Sequence, residues 1–234
     1  MMAAPAAAKD KLHLFTDHYP PYTMTLTGQP FAHNAEEISG ICTDMVKAAM
    51  TKVPYDIQMR VRNWQYGINR VKRKSGHGIF CTARTEERDA WFSWVGPLTS
   101  MGWSLFAHPD SDIKLKTLED AKKYKIGGYK SDVMTEYLVE RGYNVSVIND
   151  GLQNPLRLQR GLIDLWVSDE LHAPYVASDT VDMIPRKVLT FNSSPLYLAF
   201  NKETDEAVVD AFNEAVAELI KDGAFSDIER SYGR

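Results

Sequence analysis

At 234 residues the chain is long enough to bury a full core, either as one large domain or as two modest lobes. Its composition, 44% hydrophobic and 25% charged, is that of a soluble globular protein, and a net charge of −4 gives no electrostatic reason to bind nucleic acid or an anionic membrane. No apolar run approaches the ~18 residues a membrane span requires.

The chain opens Met1-Met2-Ala3-Ala4-Pro5-Ala6-Ala7-Ala8-Lys9, without the basic and long apolar regions of an intact signal peptide. Small residues ahead of Lys9-Asp10-Lys11 fit the remnant of a removed signal peptide, re-started with Met; a natural disordered cytoplasmic start is the alternative. Residues 1–9 are expected to be flexible. Leu12-His13-Leu14-Phe15-Thr16 alternates apolar and polar and predicts a strand, which breaks at Tyr19-Pro20-Pro21-Tyr22. Met24 to Ser39, with Gly28 and Pro30, reads as a hairpin or surface excursion. Ile41, Met45, Ala48 and Ala49 share one face of a helix that begins after Gly40. A strand over 55–61, a helix over 64–73 and a buried strand over 78–81 follow. The basic run Arg70-Val71-Lys72-Arg73-Lys74 falls at that helix's end, where cations complement the helix dipole, and reads as solvated.

Val95 to Ala107 is an extended segment, after which the theme repeats. A short helix is expected over 112–123 and a strand meeting a turn over 125–128. Ser131 is placed to cap a helix over 132–141 that stops at Gly142. A strand over 145–148, a helix over 152–160 and a buried strand over 162–167 come next. The chain returns through Phe191–Phe200, with a strand over 195–200. It then forms a long amphipathic helix from Thr204 to Asp222, stopped by Gly223. Alternating strands and helices argue an α/β fold.

Two cysteines, Cys42 and Cys81, fit either one disulfide or two buried thiols. There is no CxxC, no GxSxG, no HExxH, no phosphate-cradling glycine loop and no GxGxxG after a strand. The six histidines lack metal-ligand spacing. Neither a metal nor a cofactor is therefore expected. In open α/β sheets ligands bind beyond the carboxyl ends of strands, which directs attention to three loops. The first is Thr16-Asp17-His18-Tyr19-Pro20-Pro21-Tyr22, stiffened by its prolines. The second is Thr82-Ala83-Arg84-Thr85-Glu86-Glu87-Arg88, in which Thr85 caps a helix whose acidic first turn is ordinary. Arg88 is unusual so near a helix start; it suits bidentate capture of a carboxylate, or else an ion pair with Glu87 or Asp89. The third is Leu162-Ile163-Asp164-Leu165-Trp166-Val167-Ser168-Asp169-Glu170, in which the Asp at the strand edge, Asp169, either accepts from an ammonium group or caps the helix that starts near Glu170.

TDHYPPY, the SGICTDM helix start, the TxEER turn, GYKSDV, LIDLWVSDE and the closing DGAFSDIERSYG occur in one order. That series, from about Leu12 to Tyr232, resembles the extracellular solute-binding proteins of family 3, the polar amino-acid receptors of bacterial ABC importers. Gly40-Ile41-Cys42-Thr43-Asp44 also resembles the equivalent helix start in ionotropic glutamate receptor ligand cores. The resemblance implies a two-lobed α/β periplasmic-binding-protein fold of type II. Lobe one would take residues 10–98 and 196–234, lobe two 103–190, and the ligand would lie between them. It maps the carboxylate-clamping arginine onto Arg88, its assisting groups onto Cys81, Thr82 and Ala83, and the second lobe's helix-start residues onto Ser131, Asp132 and Val133. The ammonium-binding acid maps onto Asp169, and Asp17, Tyr19 and Trp64 would face the ligand side chain. Cys81 and Ala83 stand where hydroxyl residues are common, and Asp132 is an acid where a carboxylate would be met.

The expected protein is a non-enzymatic, monomeric binder of a small zwitterion, an amino acid or related carboxylate. It would work outside the cytoplasm, periplasmic or extracellular, with the permease of an ABC importer as partner. Two rivals share the fold. One is a cyclohexadienyl or arogenate dehydratase-like enzyme using Glu170 or Asp132 as general acid. The other is a ligand-sensing domain, which an ending at Ser231-Tyr232-Gly233-Arg234 makes the less favoured.

Overall fold

In the computed structural model, which describes residues 11–234, strand β1 (Lys11–Thr16) buries Leu12, Leu14 and Phe15 and runs parallel to both of its neighbours. The expectation for residues 1–9 lies outside the described residues. After β1 come a small antiparallel pair, β2 (Met24–Thr25) and β3 (Ile38–Ser39), then α1 (Ile41–Met50), β4 (Asp56–Val61) and α2 (Trp64–Arg73). Strand β5 (His77–Ala83) leads into the short α3 (Glu86–Asp89) and the long β6 (Phe92–Ala107). Next are β7 (Ile126–Tyr129), α4 (Val133–Glu140), β8 (Val145–Ile148), α5 (Asn154–Gln159), β9 (Leu165–Ser168) and α6 (His172–Val181). The chain closes with β10 (Arg186–Asn201), α7 (Glu206–Lys221) and α8 (Ala224–Ser231).

These elements group into two compact units. The first comprises the described residues up to His18, Thr23–Leu98 and Tyr197–Arg234; the second comprises Tyr19–Tyr22 and Thr99–Leu196. Strands β6 and β10 therefore each contribute residues to both units, and the four-residue stretch Tyr19–Tyr22 packs with the second although its flanks belong to the first.

In the first unit β1 lies between β4 and β5, paired in register with both. Helix α2 owes its place to the spacing of Trp64, Gly67, Ile68 and Val71, which puts all four on one buried stripe. Asn63 caps it by accepting from the Tyr66 amide at 3.3 Å. Trp64, Ile68 and Val71 pack with Phe15, Ile79, Phe92 and Ala199 into this unit's core. The second unit orders its strands β6-β9-β7-β8, with β7 parallel to both neighbours and β9 antiparallel to β6. Phe106, Leu158, Ile163, Trp166, Ala173, Val176, Ala177 and Met183 form its core.

The structure corrects several expected boundaries. Residues 112–117 are not helical; only the 3-10 turn Leu118–Lys123 forms, capped through Thr117 and Asp120. The buried strand expected over 162–167 starts at Leu165; Gly161 is left-handed (φ 66°) and Leu162 is 53% exposed. The cap of α4 is Asp132, one residue later than expected. The closing DGAFSDIERSYG segment carries helix α8, followed by Tyr232, whose hydroxyl donates to Asp44 Oδ2 at 2.7 Å and accepts from the Gly40 amide at 3.0 Å. Burial, with the Asp44 bond second, pushes the Tyr232 phenol up to about 12, so it stays a neutral clasp on the start of α1. Among the described residues no helix is long and apolar enough to cross a membrane.

Candidate functional site

In the first unit the candidate residues gather at the carboxyl ends of parallel strands. The Thr16 hydroxyl, at the end of β1, donates to the Phe80 carbonyl of β5 at 3.3 Å and so ties the two strand ends together. Asp17 follows directly; it is half-buried, and its carbonyl accepts from the Thr23 hydroxyl at 2.8 Å. Beyond Phe80, Cys81 is bonded to Cys42 in a disulfide and adopts a left-handed backbone (φ 62°), a conformation disfavoured for a residue with a Cβ. Thr82 and Ala83 are buried.

Arg88 lies in α3, whose cap is Thr85; the Thr85 hydroxyl accepts from the Arg88 amide at 3.2 Å. Only 4% of Arg88 is exposed, so its charge is nearly dehydrated. One guanidinium nitrogen, Nη1, donates to Thr82 Oγ1 and to the Ala83 carbonyl, both at 3.1 Å. The guanidinium carbon stands 5.8 Å from the centre of the Trp64 ring, within reach of a cation–π contact. Asp89, one of the two ion-pair partners considered for Arg88, is engaged by Arg84 instead, at 2.7 Å and 3.4 Å. That bond holds the Asp89 carboxyl below the usual carboxylate range. Trp64, Thr82, Ala83 and Arg88 are thus brought together, with Cys81 immediately upstream.

In the second unit Asp169 follows β9 and is 1% exposed. Its Oδ2 accepts from the Gly102 amide at 2.8 Å, and its Oδ1 accepts from the amides of Leu171 at 2.8 Å and His172 at 3.3 Å. Burial raises the Asp169 pKa; the Leu171, His172 and Gly102 amides and the Tyr22 side chain offset part of that rise. Oδ1 therefore serves the amides at the start of α6, as the capping role weighed for this residue requires, while Oδ2 is held by an amide of β6.

Asp132, also buried, accepts from the Thr135 amide and the Thr135 hydroxyl, each at 2.9 Å. Gly128 permits this arrangement, since a Cβ there would overlap the Thr135 hydroxyl. Ser131 is left-handed (φ 62°), and Val133 starts α4 in a buried position. A carboxylate already occupies the amide end of α4 that the resemblance would give to a ligand anion.

Tyr19 completes this group, and sequence reasoning missed what holds it. Its ring stacks on His172, with centroids 3.5 Å apart and planes inclined by 9°. His172 Nδ1 lies 2.7 Å from the Pro20 carbonyl, which makes Nδ1 the protonated ring nitrogen. Burial first, and then the charges of Asp169 and Asp132, push the Tyr19 phenol well above its ordinary pKa. In the sequence His172 is one of six scattered histidines; its position three residues after Asp169 is the only local signal. Glu170, a candidate general acid, is exposed and paired with Lys187 at 2.5 Å.

Two α/β units connected through β6 and β10, each with polar residues gathered after its strands, define the periplasmic-binding-protein class of fold. The chain belongs to the bacterial extracellular solute-binding proteins, family 3, whose family model matches residues 14–234. Among solved structures, a histidine kinase sensor domain with similarity to periplasmic binding proteins matches with a TM-score of 0.82 at 20% identity, covering 97% of each chain. An ancestral arginine-binding protein bound to glutamine matches at 0.80 and 20% identity, over 94% of this chain and 96% of that one. The ancestral amino-acid-binding protein AncCDT-1, a precursor of cyclohexadienyl dehydratase, matches at 0.76 and 18% identity, over 96% of each chain. At these identities the likeness is one of fold. No curated protein sequence matches the chain.

Proposed function

We propose that this chain is the substrate-binding component of an ABC importer and that it binds a small zwitterion, an amino acid, by closing its two units on the ligand. The observation that carries the proposal is a buried guanidinium after β5 in one unit and a buried carboxylate after β9 in the other. Each is suited to one pole of a zwitterion. Arg88 would clamp the ligand carboxylate, assisted by Cys81, Thr82 and Ala83, and Asp169 would take the ammonium group. Asp17, Tyr19 and Trp64 would face the side chain, and Ser131, Asp132 and Val133 would contribute from the start of α4. Family membership supports the binding role, an exported location and a permease partner. The fold is shared with structures described as amino-acid-binding. The binder is expected to act as a monomer without chemistry of its own.

A thermal-shift screen of the twenty amino acids, with their des-amino and decarboxylated analogues, tests this directly. A ligand at 100 times its Kd adds about 2.7 kcal/mol of stability, a shift of several degrees. Stabilisation by none of the amino acids would overturn the reading. Because one structural neighbour is a dehydratase precursor, the same protein should be incubated with prephenate and arogenate. No turnover is expected.

A further inference from the structure

We propose that the Cys42–Cys81 disulfide positions the Arg88 anion-binding group, so that reduction by a dithiol weakens the hold on a ligand carboxylate. The inference rests on the assignment of Arg88 as the carboxylate clamp and adds its regulation. The bond joins the second residue of α1 to the fifth residue of β5. Its two ends are unequal. Cys42 is fully buried on a helix whose start is clasped independently, because Tyr232 holds both the Gly40 amide and the Asp44 carboxylate. Cys81 is partly exposed and sits at φ 62°, left-handed backbone that a residue with a Cβ avoids unless its surroundings impose it.

The residues directly after Cys81 supply both acceptors of Arg88 Nη1, the Thr82 hydroxyl and the Ala83 carbonyl. Just before it, the Phe80 carbonyl is held by Thr16. Cys81 is thus the joint between a fixed strand and the guanidinium cradle, and the covalent bond to α1 holds that joint. Once the bond is cut, Cys81 can relax toward negative φ, which rotates the peptides of Thr82 and Ala83. The fixed α1 end stays in place, so the movement falls on the Arg88 side.

The chemistry balances with a dithiol as the reductant. A thiolate of the reagent attacks the accessible Cys81 sulfur, the S–S bond breaks, and Cys42 leaves as a thiolate and is protonated. The second thiol of the reagent then displaces Cys81, which is protonated in turn, and the reagent becomes a disulfide.

The test compares oxidised protein, protein reduced with dithiothreitol, reoxidised protein, and the variant Cys42→Ala/Cys81→Ala, in which position 81 keeps a Cβ and loses the cross-link. Hydrogen exchange is followed on peptides covering 81–88 and on the neighbouring strand β1. Calorimetry measures L-arginine and agmatine, the same side chain without the carboxylate. Reduction should accelerate exchange in 81–88 but not in β1. It should weaken L-arginine about tenfold or more, a loss of ~1.4 kcal/mol, while leaving agmatine within about twofold. Reoxidation should restore both. The double-alanine variant should fold and behave like reduced protein, which excludes global unfolding as the cause. Unchanged exchange in 81–88 would overturn the proposal, as would an equal loss for both probes. If oxidised protein ignores L-arginine, the exchange result alone decides the disulfide's role, and the failure belongs to the ligand assignment.

Discussion

At Arg88 the guanidinium has one nitrogen directed to Thr82 and Ala83, a planar donor group fixed by its cradle. Arg88→Lys keeps the charge but replaces that plane with a point donor. It is therefore expected to weaken amino-acid binding at least about tenfold, since a bidentate carboxylate bond is lost. Calorimetric titration of wild type and variant with the ligand found by thermal shift measures this, and equal affinities would remove Arg88 from the site. Asp169 presents a different balance, because both of its oxygens already accept backbone amides. Asp169→Asn turns one acceptor into a donor facing an amide, so a stability loss of about 1–3 kcal/mol is expected from denaturant unfolding. If Asp169 also holds an ammonium group, the variant will impair an amino acid far more than its des-amino analogue. A purely capping role predicts equal, small losses for the pair.

Among the elements, β1 and β5 carry a histidine pair, His77 buried and His13 half-buried. His13 and His77 are register partners on neighbouring strands with ring centroids 4.8 Å apart, and His77 also stacks near Phe15. Burial is the main cause lowering both below the ordinary 6.5. Arg60, Lys11, Lys74 and Arg70 add to it for His13, and His13, Lys74 and Arg70 for His77, against a bond to the Ser75 carbonyl that pulls His77 back up. The unfolded chain then binds protons more readily than the folded one. Stability from this pair is fully present above the unfolded value of 6.5 and falls as pH drops below it. Melting temperature is expected to decline between about pH 6.5 and 5, and less steeply in His13→Gln/His77→Gln, which removes the two titrations. A wild-type slope equal to the variant's would contradict this account. Element periodicity was legible where burial is one-sided, as in α2, whose Trp64, Gly67, Ile68 and Val71 stripe is visible in the sequence. Ends were less so. Ser131 and Asp132 are both good caps, and only the left-handed backbone at Ser131 decides between them.

For the molecule as a whole, the division into two units makes the proposed closure on a ligand open to a direct measurement. If the ligand draws the units together as proposed, small-angle scattering at saturating ligand should give a smaller radius of gyration than in its absence. No change at saturation would contradict closure and favour a preclosed or one-unit site. The same measurement on Arg88→Lys, at concentrations saturating wild type, should show the larger value, because closure is selected only by as much free energy as the ligand contributes to the closed state.

Local pattern by itself determined the α/β alternation, the long closing helix and the carboxyl-end loops, because these follow from side-chain periodicity and from glycine, proline and capping residues acting over a few positions. It also singled out Arg88 and Asp169, since a charge beside a helix start or a buried strand stands out against its neighbours. Only the tertiary structure decided that Cys42 and Cys81 pair, that Arg84 rather than Arg88 takes Asp89, and that Tyr19 stacks on a histidine 153 positions away. These are choices among chemically equivalent partners. A sequence presents all of them alike, and chain topology brings one within bonding distance.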